Sequence, residues 1–151
     1  MMNALEHMLG ATLSTAMALT HAKRGLIQFF EPKEGILTLA AHRGCSDAFL
    51  ERFRVVRPGQ GTVCGLAIQS HRRVAVDDVL IDPAFAPHLD AAIAEGFRAV
   101  QSTPLFRTNG APIGVLSTYY DEPHTLSKIE TESLDQIAQH LGPAIERHAH
   151  H

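Results

Sequence analysis

Apolar residues recur with helical spacing at both ends of the chain. Residues 3–20 carry an apolar side chain at every third or fourth position from Leu5 onward, which predicts an amphipathic helix. Residues 126–148 repeat this spacing and predict a second, longer helix. Gly142 and Pro143 interrupt the second pattern, and we expect the helix to kink or loosen there because proline lacks the backbone donor.

Four apolar runs of strand length lie between these helices, in two pairs joined by short polar turns. The first turn, Pro32 to Gly35, has a length that suits a hairpin. The second contains Asn109-Gly110, which is typical of tight hairpin connections. The two predicted hairpins pair residues 25–31 with 36–43, and residues 98–106 with 112–120, and a shorter strand is predicted over residues 73–77.

Three short helices are predicted in the remaining segments, over residues 46–54, 62–69 and 87–95. Ser46 or Asp47 is suited to cap the first and Thr62 the second, because their side-chain oxygens accept from free backbone amides. Gly96 ends the third, since glycine readily takes a positive φ. This order of helices and hairpins predicts an α+β fold in which helices pack on an antiparallel sheet.

Composition narrows the class of protein. The 151 residues are 45% hydrophobic and 19% charged, and no apolar run approaches the ~20 residues that a bilayer-spanning helix needs. We therefore expect one soluble globular domain, residues 1–151, without membrane insertion. The net charge of −3 argues against nucleic acid as a partner. The first residues lack the pattern of a secretion signal, so we expect a cytoplasmic location.

Three motifs, in this order, resemble those of GAF domains. They are CGLA at 64–67, VDDVLIDPAF at 76–85, and AVQSTPL at 99–105 followed by GVLSTYY at 114–120. The chain is most similar to the GAF domains of bacterial sensor histidine kinases and related signalling proteins. The resemblance extends over about residues 5–148.

The resemblance implies a profilin-like architecture with a central antiparallel sheet of five or six strands. Terminal helices would pack on one face, and loops and short helices over residues 59–97 would enclose a small-molecule pocket on the other. The implied function is small-molecule sensing in a two-component signalling protein, with a homodimer formed through the terminal helices. No catalytic motif is present, so a regulatory domain is expected. The alternatives are a ligandless dimerisation module and, from another class, a thiol-based reductase.

The pocket candidates come from the loops and from the two long carboxy-terminal strands. Alternation places Gln101 and Thr103 on one face of their strand, and Leu116 and Thr118 on one face of the next. Buried polar groups need partners, which a ligand or loop backbone would supply. The complete set of ligand-binding candidates is Phe29, Cys64, Asp77, Phe85, Leu89, Ile93, Gln101, Thr103, Leu116 and Thr118.

Cys64 has a functional and a structural interpretation. A thiol at a helix start would suit a redox sensor, a chromophore attachment point or a pocket wall, but a small buried packing residue fits equally. Cys45 lies in a loop and is expected to be more exposed. The three-cysteine pattern of the GAF-fold free methionine sulfoxide reductases is absent, as are the Cys-His pair of bilin-binding members and the Asn-Lys-x-Phe-Asp-Glu signature of cyclic-nucleotide-binding members.

The charged clusters leave two interpretations each. Asp77, Asp78 and Asp82 would suit a hard cation or a polar ligand, or would serve as turn and cap residues, with Asp77 the preferred functional member. The basic run 71–73 suits a solvated face or a phosphate-bearing ligand. The histidines show no zinc spacing and predict no particular cofactor, although His88 would suit a haem iron; the tail, His148, His150 and His151, is expected to be solvated.

Overall fold

A computed structural model describes residues 2–149 of the chain. The helices are α1 (Ala4–Thr20), α2 (Asp47–Phe53), α3 (Val63–Ser70), α4 (Leu89–Glu95) and α5 (Lys128–Ala149). The strands are β1 (Arg24–Glu31), β2 (Ile36–Arg43), β3 (Val55–Val56), β4 (Val74–Val76), β5 (Ala99–Phe106) and β6 (Pro112–Tyr120). Short 3₁₀ turns cover Pro58–Gln60 and Pro83–His88. The tail residues His150 and His151 lie outside the described residues.

The strands form one antiparallel sheet in the order β3-β2-β1-β6-β5-β4. Both predicted hairpins are present, β1 with β2 and β5 with β6. The hairpins are joined in the centre of the sheet by β1 and β6, where Ile27 lies opposite Leu116. The short strands β3 and β4 close the two edges. The α+β GAF-like fold expected from the sequence is therefore confirmed.

The two faces of the sheet have separate hydrophobic cores. Strand alternation sends Leu26 to one face and Ile27 to the other. Leu26 packs with residues from α2, α3 and α4, whereas Ile27 packs beneath the terminal helices α1 and α5. In the described part of the chain, no helix is long and apolar enough to span a membrane.

Side-chain caps set where the helices begin. Thr62 accepts from the backbone amide of Gly65 at 3.1 Å, and Ser46 accepts from that of Phe49 at 3.2 Å, as their positions predicted. Helix α5 begins at Lys128, two residues later than expected. Ser127 accepts from the amide of Glu130 at 3.1 Å while the Glu130 carboxylate accepts from the amide of Ser127 at 2.9 Å, which is a capping box.

Helix α5 continues past Pro143 to Ala149, which corrects the expectation that its last turns loosen. Leu141 and Ile145 flank the proline and are buried against the sheet, and this packing compensates for the missing hydrogen bond. Gly142 allows the close approach, because a Cβ there would lie 2.1 Å from the carbonyl oxygen of Phe106. Gly142 and Pro143 have low helix propensity, but they lie where α5 packs closely against β5.

Candidate functional site

The candidate site is a cavity between the sheet and the wall formed by α3 and the Pro83–His88 turn. Its volume is about 20 Å³, which is room for roughly one water molecule. The rings of Phe53, Phe85, Phe97 and Tyr119 line it together with Thr62, Val63, Cys64, His88 and Val100.

Aromatic rings fill most of the space that a ligand would need. Phe97 and Tyr119 meet edge to face with ring centroids 4.9 Å apart, and Phe85 meets Phe97 in the same way at 6.1 Å. Such edge-to-face pairs are favourable contacts in their own right. Burial also raises the pKa of the Tyr119 hydroxyl well above its usual range. The cavity in this structure is therefore closed by the side chains of the protein itself.

Cys64 lies in the first turn of α3 and is 2% exposed. Burial raises the pKa of its thiol, which lies 3.5 Å from the hydroxyl oxygen of Thr62 and is placed to donate to it. Cys45 is half-buried, and burial together with the nearby Glu95 carboxylate raises the pKa of its thiol to about 11. Both thiols are thus protonated at neutral pH, whereas a nucleophilic cysteine needs a thiolate.

Gln28 is a buried polar residue next to this site that the sequence analysis did not single out. Its side chain is fully buried, and among the described residues neither its amide nitrogen nor its amide oxygen has a partner at hydrogen-bond geometry. It lies next to Cys64 and lowers the pKa of that thiol, against the larger effect of burial. Unpartnered buried amides are rare in proteins. The signal was available, because Gln28 is the one polar residue inside the run LIQFF.

The polar candidates on β5 and β6 lie on the opposite face of the sheet. Gln101 donates to the hydroxyl of Thr118 at 3.0 Å and accepts from that of Thr103 at 2.5 Å, so they satisfy one another. Leu116 packs in the core beneath α1 and α5. The predicted alternation agrees with the structure, and it places these candidates on the face away from this cavity. Ser102 and Ser117 alternate onto the cavity face, with their hydroxyl oxygens 2.6 Å apart.

The apolar ligand-binding candidates are also divided between the cavity and other parts of the molecule. Phe85 lines the cavity, and Leu89 packs against the same core. Phe29 lies instead with the core beneath the terminal helices, because it follows Gln28 and points to the other face. Ile93 is 61% exposed on the outside of α4. Phe29 and Ile93 are therefore not walls of this cavity.

The three aspartates Asp77, Asp78 and Asp82 each make a structural contact. Asp77 is exposed and accepts from the hydroxyl of Thr125 at 2.9 Å, in the segment that leads to α5. Arg98 donates to Asp78 at 2.9 Å and lowers the pKa of that carboxyl. Asp82 caps the Pro83–His88 turn by accepting from an amide at 3.0 Å. No group of metal-ligating side chains is assembled among residues 2–149.

A network of charged groups connects α4, the helix that follows the Pro83–His88 turn, to the segment before α5. Glu95, the last residue of α4, accepts from the amide of Ser46 at 2.9 Å. Arg24 donates to the carbonyl of Glu95 at 2.8 Å and pairs with its carboxylate at 3.4 Å. The same guanidinium pairs with Asp121, the residue directly after β6. Arg24 thus links α4 to the connection between β6 and α5.

Solved structures share this fold over nearly the whole chain. A domain assigned to a two-component sensor histidine kinase protein of Sinorhizobium meliloti is 25% identical, with a TM-score of 0.77, covering 98% of this chain and 95% of that one. The GAF domain region of a protein assigned to the membrane of Geobacter sulfurreducens is 19% identical, with a TM-score of 0.82 and coverages of 95% and 93%. The free methionine-R-sulfoxide reductase of Neisseria meningitidis, solved with its substrate, is 21% identical, with a TM-score of 0.74 and coverages of 96% and 81%.

The family is established by the sequence itself. No curated protein matches the chain. The profile of the GAF domain, however, matches residues 3–146, which includes both hairpins, the wall of the cavity, all of α1 and most of α5. With the antiparallel sheet order and the two-faced packing described above, this match shows that the chain belongs to the GAF domain family.

Proposed function

We propose that this chain is the sensory domain of a bacterial two-component signalling protein and works in the cytoplasm. A small molecule would bind between the sheet and the wall formed by α3 and the Pro83–His88 turn. Phe85 and Cys64 would contact the ligand, and Gln28 would offer it an amide. Displacement of the wall would then move α5, the helix that connects such a domain to its output.

The observation that carries this proposal is the Arg24 network. Glu95 ends α4 beside the cavity, and Arg24 binds it and Asp121 at the same time. The Glu95 side chain is 5% exposed, so its pairing with Arg24 is little screened by solvent, whereas Asp121 is 48% exposed and its pairing is more strongly screened. A ligand that shifts α4 would change these contacts and with them the start of α5. Binding biases two states only as far as the ligand distinguishes them, and a rearrangement of this network would supply such a difference.

A second candidate is a relay domain that dimerises without a ligand. The small cavity favours it, because a volume of about 20 Å³ accommodates no metabolite until aromatic side chains move. Helices α1 and α5 form a groove of about 440 Å³ on their outer side, lined by Met8, Thr15, Ile137 and Leu141 among others. A second copy of the chain would pack its own terminal helices there, and we propose this homodimer for both candidates.

The likeness to free methionine-R-sulfoxide reductase suggests thiol chemistry as a third candidate. The raised pKa values of Cys45 and Cys64 weigh against it, since neither thiol is poised to ionise at neutral pH. The sensor and the relay domain are therefore better supported than thiol chemistry.

Mass spectrometry of the freshly purified protein separates these candidates. A native spectrum with an added non-covalent mass supports the sensor, and a bare dimer supports the relay. A mass that persists in the denaturing spectrum identifies a modified cysteine. A bare monomer contradicts the proposed homodimer through α1 and α5.

A matched pair of variants assigns any bound mass to the cavity. Phe85→Trp adds bulk inside the cavity and is expected to reduce ligand occupancy. Ile93→Trp adds the same ring to α4, outside the cavity lining and at a position that is 61% exposed, and is expected to leave occupancy unchanged. Equal occupancy in both variants would place the ligand elsewhere on the protein.

A further inference from the structure

A second groove lies on the side of the sheet away from the cavity, between α5 and the edge formed by β4 and β5. Its volume is about 420 Å³, within the range of about 300–1,000 Å³ that small-molecule sites occupy. The turn between α3 and β4 contributes Arg72 and Arg73, the end of β5 contributes Arg107, and α5 contributes Asp135. None of the site candidates on the cavity side takes part in it.

The groove is basic although the chain is acidic. Three guanidinium groups line it against the single carboxylate of Asp135, while the chain as a whole carries a net charge of −3. Arg107 also pairs with Glu146 at 3.8 Å, just beyond the lining. Among the described residues no carboxylate pairs with the exposed side chain of Arg72. One positive charge at this groove is therefore not compensated locally.

Arg73 is held in place before any ligand arrives. Its Nε donates to the hydroxyl of Thr103 at 3.0 Å, and one Nη donates to Asp135 at 2.6 Å. Its side chain is 18% exposed. A guanidinium has five N–H donors, so this anchoring leaves three for another acceptor. A fixed guanidinium loses little conformational freedom on binding, which favours affinity.

The floor of the groove is apolar. Pro104 and Phe106 form it from β5, and Ala138 and Pro143 form it from α5. The ring of His71 meets that of Phe106 edge to face, with centroids 5.8 Å apart. An apolar floor beneath a few fixed polar groups is the usual construction of a site for an organic ligand.

We propose that this groove binds a phosphate monoester that carries a flat apolar body. The phosphate oxygens would accept from Arg72, Arg107 and the remaining donors of Arg73, and the body would lie on Phe106 and Pro143. Three guanidinium forks suit the several oxygens of a phosphate better than the two of a carboxylate. The site is independent of the cavity, and a ligand there would join the edge of the sheet to α5.

Adenosine monophosphate is the probe for this site, and adenosine is its neutral control. Calorimetric titration of the full chain is expected to show saturable binding of the monophosphate, weakened by added salt, with adenosine at least about tenfold weaker. Amide shifts in NMR spectra are expected at residues 71–73, at residue 103 and at residues 105–107. No binding of either the monophosphate or inorganic phosphate at millimolar concentration would overturn the proposal.

Charge variants localise the binding. Arg72→Gln and Arg107→Gln are each expected to weaken the affinity by about tenfold, as loss of a charged hydrogen bond does. Arg54→Gln removes an exposed arginine on the other side of the molecule, paired with Glu51, and is expected to have no effect. Equal losses in Arg72→Gln and Arg54→Gln would refute the site.

Discussion

Gln28 is the residue whose surroundings fit its side chain least well. Its amide is fully buried beside Cys64 without a hydrogen bond, and an unpartnered buried amide costs about 1–3 kcal/mol of folding free energy. Gln101 is buried to the same degree, but its amide bonds to two threonines on the other face of the sheet. The two glutamines therefore differ in that the amide of Gln101 is satisfied by its neighbours and the amide of Gln28 is not.

Replacing Gln28 with leucine is expected to stabilise the protein. Gln28→Leu removes the unpartnered amide and should raise the free energy of unfolding by about 1–3 kcal/mol in urea titrations. Gln101→Leu is the control and should lower it by a similar amount, because Thr103 and Thr118 lose their partner. Destabilisation by Gln28→Leu would show that a bound water or ligand satisfies the amide in solution.

The cysteines are expected to resist alkylation in the folded protein. The pKa of Cys45 is about 11 against an ordinary 9.0, so its thiolate fraction at pH 8 is lower by about 100-fold. Cys64 should react more slowly still, because it is 2% exposed. Iodoacetamide labelling followed by mass spectrometry measures both rates, with Cys45→Ser to assign the sites and urea-unfolded protein as the reference.

The sign of the pH dependence follows from the raised pKa values. Folding favours the protonated thiol of Cys45, so its contribution to stability is complete below pH 9 and is lost as the pH rises toward 11. Labelling of Cys45 should accelerate over the same window. Rapid labelling of native Cys64 at pH 8 would contradict the closed cavity and return thiol chemistry to consideration.

At the scale of elements, α5 depends on its contact with the end of β5. The helix passes over the Phe106 backbone at Gly142, where there is no space for a side chain. Thr108 at the next turn donates from its amide to Glu146 of the same helix at 3.0 Å. The carboxy-terminal half of α5 is thus attached to the β5–β6 hairpin, close to the groove that carries Arg107.

Gly142→Ala is expected to destabilise the protein even though alanine favours helix. The added Cβ would lie 2.1 Å from a backbone oxygen, and overpacking of this kind costs about 1–3 kcal/mol, more than the gain of about 1 kcal/mol in helix propensity. Gly10→Ala in α1 is the matched control, since its Cβ would meet the end of a flexible arginine at 3.2 Å. Thermal unfolding of both variants measures the difference, and a gain of stability in Gly142→Ala would contradict the close packing.

At the scale of the whole molecule, the sheet separates two differently covered surfaces. The cavity and the Arg24 network lie with α2, α3 and α4 on one face, and the paired terminal helices cover the other. The segment from Asp121 to Thr125, which both Arg24 and Asp77 contact, connects the sheet to α5. This arrangement suits a domain that receives a signal on one side and transmits it on the other.

The proposed dimer is tested by placing a charge in the groove between α1 and α5. Thr15 is exposed and lines that groove, so Thr15→Glu brings two like charges together in a symmetric interface and should weaken dimerisation by at least about tenfold. Ser14→Glu introduces the same charge at an exposed neighbouring position outside the groove and should not. Sedimentation velocity at several concentrations measures the dimerisation of both variants. Equal dimerisation of the two variants would exclude an interface at this groove.

Much of the local structure was predictable because it depends on neighbouring residues. Thr62 and Ser46 cap the helices where their side chains allow it, and the Asn109-Gly110 turn forms the β5–β6 hairpin. Strand alternation grouped Gln101 with Thr103, and Leu116 with Thr118, correctly. The two-residue strand β3 escaped prediction, since a segment so short has no periodicity to detect.

The amino-acid sequence by itself determined the elements, the two hairpins and the family of this protein, because periodicity, caps and turns act over a few residues. Only the tertiary structure decided which face of the sheet holds the cavity. That choice placed Phe29, Gln101, Thr103, Leu116 and Thr118 beneath the terminal helices, and it left Gln28 buried beside Cys64. The physical reason is that period-two alternation defines two faces without saying which elements cover each one. Distant segments settle that question when they pack.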